Sequence, residues 1–178
     1  MSGKMDFSKG FNVQLATLFG IGRIPGGGTW ASLIVLLIAL YEQNAETASF
    51  LAFFTLIIGP NAYRKLNALV DTEDPKEYVL DEVVGMGIAI SGVYIFTRIF
   101  NQFSFDFIEY LSATDELFIL TFIVFRFFDI SKIGPVGWVE SNPNEKAYNR
   151  VIGDDIMAAL LSIIVVIIFL SVNLWILQ

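Results

Sequence analysis

Residues 156–178, "IMAALLSIIVVIIFLSVNLWILQ", contain no charged side chain. A helix needs about 20 predominantly apolar residues to cross the hydrocarbon core of a bilayer, so this run predicts a membrane-spanning helix. Asp154 and Asp155 stand immediately before it. The same juxtaposition occurs upstream. In "VLDEVVGMGIAI", residues 79–90, Asp81 and Glu82 precede a stretch with no charge until Arg98. Two helices that read as bound for lipid thus each open on a pair of adjacent acids.

The composition agrees with a lipid environment. The 178 residues suffice for one domain, read as a single unit over 1–178. Of these, 55% are hydrophobic and 16% charged, with a mean hydropathy of +0.65. A soluble domain carries about 25% charged residues. Cys and His are absent, which excludes a disulfide framework, a thiolate nucleophile, an imidazole base and the usual zinc site. The net charge of −7 argues against a nucleic-acid partner. Residues 1–14 lack an apolar core, so no signal peptide is expected.

The apolar runs predict an all-α, multi-helical membrane protein with five membrane-associated helices, near 29–43, 48–63, 82–100, 116–128 and 155–177. Basic residues collect in cytoplasmic loops. With the N-terminus inside, the inner segments hold Lys4, Lys9, Arg23, Arg64, Lys65, Lys76, Arg126, Lys132, Lys146 and Arg150, and the outer segments hold only Arg98. Loops 42–47 and 101–115 carry Glu42, Glu46, Asp106, Glu109 and Asp115 with no basic residue. This orientation brings four polar clusters, distant in sequence, to the cytoplasmic face. Segment 133–153, with Pro135 and Pro143, reads as a loop or lid.

Each cluster has a structural and a chemical reading. Gly26–Gly28 precede Thr29, a candidate helix cap. A glycine-rich helix start presents backbone N–H groups to an anion, but glycines also permit close packing. Asp81 and Glu82 suit the positive end of a helix dipole, yet one acid would serve as a cap, and adjacent acids repel. Arg126, Asp129 and Lys132 fall on one stripe if helical. They form either an interfacial set of snorkelling cations balanced by Asp129 or a phosphate clamp. Asp154 and Asp155 repeat the paired-acid arrangement at the start of the longest span. Carboxylates with Arg and Lys, and neither His nor Cys, suit Mg²⁺, with Mn²⁺ as the alternative, and phosphoryl chemistry. The residues alone thus point to a membrane-embedded, metal-dependent enzyme acting on a phosphorylated lipid headgroup.

The ordered set Gly20, Gly22, Gly28, Thr29 and Ser32; Asp74, Pro75 and Asp81–Met86; Phe125, Arg126, Phe128, Asp129 and Lys132; and Asp154, Asp155 and Ala158 resembles the phosphatidylglycerophosphatase A family. These matches run from about 18 to 160. The resemblance implies an all-helical enzyme of the bacterial inner membrane. It would use Mg²⁺ to remove the terminal phosphate of phosphatidylglycerophosphate and yield phosphatidylglycerol in phospholipid biosynthesis. It also implies that the acidic motif residues form the metal site. Members of that family read Pro-Gly-Thr where this chain has Gly27, Gly28 and Thr29, and Lys-Pro-Trp-Pro where it has Lys132, Ile133, Gly134 and Pro135. They also often carry glycines at Tyr148, Asn149 and Arg150, and usually one at Ala159. These departures fall in loops and packing positions.

The expected site therefore has Asp81, Asp129 and Asp155 as catalytic residues. Arg126, Lys132, Gly28 and Thr29 are expected to bind the substrate phosphate, and Asp81, Glu82, Asp154, Asp155 and Asp74 the metal. Direct attack by water and an aspartyl-phosphate route both stay open. The partner expected is a phospholipid of the cytoplasmic leaflet. The rival readings are another lipid-phosphate phosphatase, such as one acting on phosphatidate, and a small cation transporter that uses the acids as an ion path.

Overall fold

The computed structural model describes residues 10–70, 72, 74–103 and 114–176. Lys4, Lys9, Asp106 and Glu109, which entered the orientation argument, lie outside them. Among the described residues all regular structure is helical. A short helix α1 (Phe11–Ala16) leads through a 3₁₀ segment (Leu18–Arg23) into α2 (Gly27–Glu42). Then follow α3 (Glu46–Val70), α4 (Leu80–Phe103), α5 (Thr114–Ser131), the short α6 (Pro135–Glu140) and α7 (Ala147–Ile176). The five long helices overlap the five apolar runs, but α3 continues past residue 63 to Val70 and α7 begins ahead of residue 155.

α4 is the central element and packs on α2, α3, α5 and α7. Its buried residues Val83, Met86, Ala89, Ile90 and Val93 recur at helical spacing. Val83, Met86, Ala89 and Ile90 meet Val35 from α2, Phe118 and Phe125 from α5, and Ala158 from α7 in one core, while Val93 packs with Leu117, Val166 and Leu170 in another. Gly85 lets three elements approach closely. A Cβ there would lie 2.8 Å from the Phe125 ring and 3.0 Å from the Asp155 carbonyl oxygen. The missing methyl group therefore sets how near α7, with its acids, stands to α4.

Among the described residues two helices are long and apolar enough to cross a membrane, over Leu80–Phe100 and Ala147–Asn173. α2 is apolar but shorter. α3 mixes Glu46, Thr47, Pro60, Asn61 and Arg64 into its length, and α5 contains Asp115, Glu116, Arg126 and Asp129. Large apolar side chains nevertheless face outward on all five: Leu37 on α2, Phe53 on α3, Ile95 on α4, Ile123 on α5 and Ile168 on α7 are exposed. Outward apolar surface on this scale marks a surface for a membrane or for another protein.

Two boundaries differ from expectation. Segment 133–153 is not one loop: α6 occupies Pro135–Glu140, and α7 starts at Ala147. Asp154 and Asp155 therefore sit about two turns inside α7 rather than at its start. The early turns are held by packing, since Tyr148 and Val151 lie against the buried cluster of Tyr63, Leu66 and Tyr78. Thr29 is not a cap either. α2 begins at Gly27 with Gly26 as its N-cap residue at φ 73°, and no side chain caps it. Glycine adopts that left-handed conformation at no steric cost.

α2, α4 and α7 begin at the end of the bundle where α5 finishes, and all four predicted polar clusters meet there. At the far end, Gln43 Nε2 donates to Asp115 Oδ1 at 2.6 Å, tying the α2–α3 turn to the start of α5.

Candidate active site

The polar end of the bundle holds an open cavity of about 910 Å³. Its walls come from the glycine segment before α2, the loop leading into α4, the end of α5, α6, and the first turns of α7. Asp81 and Glu82 occupy the first turn of α4, where the helix dipole favours negative charge. Asp155 reaches them from α7. One carboxylate oxygen from each of the three lies within 4.8 Å of the others. Asp81 and Asp155 are buried and Glu82 is half-buried. Glu82 Oε2 and Asp155 Oδ1 have no hydrogen-bond partner although both atoms are buried. Such oxygens are costly to leave unpaired. A hard divalent cation would satisfy them, and an all-oxygen donor set without His or Cys suits the chemistry of Mg²⁺.

Asp154 takes a different role from its neighbour. Its Oδ2 pairs with Lys132 Nζ, and its Oδ1 accepts the Asp155 N–H at 3.1 Å. Lys132 follows the last residue of α5 at φ 51°, and its Nζ also stands 3.6 Å from Asp129 Oδ1. Burial alone would lower the Lys132 pKa. Asp154, then Asp155 and Asp129, outweigh it and raise the pKa above the usual lysine range, so Lys132 is a fixed cation of the cavity wall. Tyr78 also lines the cavity. Burial, and then the charge of Asp81, push its hydroxyl well above the ordinary tyrosine range, so it stays neutral.

Arg126 lies behind this wall and is not one of the cavity-lining residues. It pairs with Asp129. Its Nη2 donates to Thr29 Oγ1 at 3.1 Å and its Nη1 to Ser32 Oγ at 3.5 Å, and Ser32 Oγ donates to the Gly28 carbonyl at 3.0 Å. The guanidinium thus ties the end of α5 to the start of α2. Thr29 serves as its acceptor and does not line the cavity. Gly28 does line it. Asp74 lines it from an exposed loop and is not part of the Asp81–Glu82–Asp155 group.

The glycines show why the segment before α2 takes its course. A Cβ at Gly28 would overlap the Glu82 carboxylate, and one at Gly22 would strike the backbone carbonyl of Glu77, 2.9 Å from its carbon. The first obstacle is the end of a flexible side chain and the second is backbone. Gly28→Ala is therefore expected to fold normally but displace Glu82 and lower activity. Gly22→Ala should lower the thermal unfolding midpoint in detergent, reflecting a loss of about 2 kcal/mol. Equal midpoints for the two variants would show that the Glu77 backbone yields.

The family model for phosphatidylglycerophosphatase A matches residues 14–170. The chain belongs to that family. By family it is a phosphatidylglycerophosphatase, an enzyme with a phospholipid substrate. A Haemophilus influenzae protein called phosphatidylglycerophosphatase A is similar to it, at 28% identity over 156 residues, which cover 85% of this chain and 84% of the relative. No solved structure matches. The residues that carried the resemblance fall into three groups in space, with Thr29, Ser32 and Arg126 bonded together behind the cavity wall. Gly28, Asp74, Asp81, Glu82, Asp129, Lys132, Asp154 and Asp155 line the cavity, whereas Met86, Phe125 and Ala158 belong to the core.

Sequence reasoning did not assign Arg23, Lys76, Glu77, Tyr78, Glu140 and Arg150, which also line the cavity. The distribution of basic charge puts Arg23, Lys76 and Arg150 on the same face as the acids, and the structure brings them to the same end of the bundle. Nothing in their spacing linked them to the acids.

Proposed function

We propose that the cavity hydrolyses the terminal phosphomonoester of phosphatidylglycerophosphate with Mg²⁺, at the cytoplasmic leaflet of a bacterial inner membrane, as a step of phosphatidylglycerol biosynthesis. In this reading all five long helices are embedded in the bilayer, and the N-terminus and the cavity face the cytoplasm. The observation that carries the reading is the group Asp81, Glu82 and Asp155, with its two buried, unpartnered oxygens, beside the cation Lys132.

These three carboxylates would hold the metal. Asp154 is engaged by Lys132, and Asp74 stands apart, so neither is assigned to it. When bound, Mg²⁺ supplies Lewis-acid polarisation of a phosphoryl oxygen and offsets charge that would otherwise repel the dianionic group. Lys132, fixed between Asp154 and Asp129, holds a second phosphoryl oxygen and stabilises charge as it develops there. Backbone amides near Gly27 and Gly28 border the same space. Asp129, positioned by Arg126, accepts a proton from the attacking water. The bond between phosphorus and the glycerol oxygen breaks, water supplies the new oxygen on phosphorus, and the leaving glycerol oxygen takes a proton from solvent, to which Asp129 releases the proton it accepted. The rival reading, a cation path, calls for acids along the helices. Beyond Glu82 in Leu80–Phe100 and beyond Asp155 in Ala147–Asn173 there are none.

The test is phosphate release from phosphatidylglycerophosphate by the full chain in detergent. Release is expected with Mg²⁺ and should vanish in EDTA. Full turnover in EDTA would remove the metal from the scheme, and release from phosphatidate alone would change the substrate.

A further inference from the structure

Three bases at the cavity have no role in the scheme above: Arg23 at the end of the 3₁₀ segment, Lys76 in the loop before α4, and Arg150 in the first turn of α7. Arg23 and Lys76 are exposed and Arg150 is half-buried, whereas Asp81 and Asp155 are buried. The cavity is therefore graded, with acids at its floor and cations at its rim. Arg150 is oriented, since its Nη1 donates to the Glu145 carbonyl at 2.9 Å.

The rim also carries Asp74, Glu77 and Glu140. It is a mixed collar and not a broad positive field, so it suits a ligand of low charge held by directed hydrogen bonds. A phosphodiester is such a ligand. It is a monoanion, whereas a phosphomonoester carries up to two charges near neutral pH. The proposed substrate contains one of each, joined by a glycerol. The cavity, at about 910 Å³, is at the large end of ordinary ligand pockets, roughly 300–1,000 Å³, and holds far more than one phosphate.

We propose that Arg23, Lys76 and Arg150 form a second anion subsite that takes the phosphodiester of the lipid headgroup while the monoester lies against the buried carboxylates. The proposal rests on the hydrolytic reading and deepens it into a source of substrate choice. A lipid with only a monoester, attached directly to diacylglycerol, leaves the rim empty. Its acyl chains would also have to follow the phosphate into a polar space.

Two probes separate the subsites without turnover: dihexanoyl phosphatidylglycerol, which has the diester alone, and inorganic phosphate. Each is titrated calorimetrically into the full chain in detergent with Mg²⁺, as wild type and as the Arg23→Gln/Lys76→Gln double variant. Both positions are exposed, so folding should survive. Phosphatidylglycerol affinity is expected to fall about tenfold or more, the loss of one or two charge-assisted hydrogen bonds, while phosphate affinity changes by less than about twofold. Unchanged phosphatidylglycerol binding would overturn the proposal. So would undetectable binding by the wild type, or an equal loss for both probes. Failure of the wild type to hydrolyse phosphatidylglycerophosphate would instead strike the hydrolytic reading, and is measured separately.

Discussion

Asp81→Asn and Asp155→Asn are each expected to lower phosphate release by about a thousandfold or more, because each removes one of three carboxylates that would hold the metal. Losing several kcal/mol of charge stabilisation corresponds to a rate loss of that order. The same substitutions should not unfold the protein. Three carboxylates with oxygens within 4.8 Å of one another repel, and two buried oxygens lack partners. The folded state without metal therefore carries an electrostatic penalty that neutralising one acid relieves. In EDTA, the thermal midpoint of Asp155→Asn is expected to equal or exceed that of the wild type. With Mg²⁺ the order should reverse, because the wild type gains binding energy that the variant lacks. Wild-type turnover in either variant would remove that residue from the scheme. A midpoint that drops in EDTA would show that the acids are held by unseen favourable contacts rather than strained against one another.

Arg126→Met should give the second largest effect, first on stability. Side-chain exposure is 13% for Arg126 and 11% for Asp129. Removing one partner of such a buried pair costs about 3 kcal/mol or more, because the other charge is left behind. The thermal midpoint should fall by several degrees. Remaining activity should show a reduced kcat with little change in KM, because Arg126 acts through Asp129 and through the α2 start, behind the cavity wall. Arg126→Lys should recover little, since an ammonium cannot span Asp129 and Thr29 as a planar fork does. A raised KM in a variant of normal stability would restore the direct phosphate contact that the sequence suggested for this residue.

Much of this site was legible before any fold was known. Charge distribution and apolar runs placed the polar clusters at one end of the helices, because lipid tolerates few charges and loops must return to water. The absence of His and Cys left carboxylates and hard cations as the available chemistry. Asp81 and Glu82 stand where the pattern put them, in the first turn of α4.

Other features depended on contacts between segments remote in sequence. Asp154 and Asp155 form one dipeptide, yet one pairs with Lys132 and the other joins Asp81 and Glu82. Adjacent helical side chains diverge by about 100°, so the rotation of α7 against α4, set by packing around Gly85 and the Tyr63–Tyr78–Tyr148 cluster, decides which acid faces which partner. Arg126 turned to α2, and Arg23, Lys76 and Arg150 gathered at one rim, for the same reason. The amino-acid sequence by itself determined the helices, their polar end and the kind of chemistry available, because these follow from local composition and the cost of placing charge in apolar surroundings. The division of labour among neighbouring charges was decided only by the tertiary structure, because it depends on how helices rotate and approach when their buried faces pack.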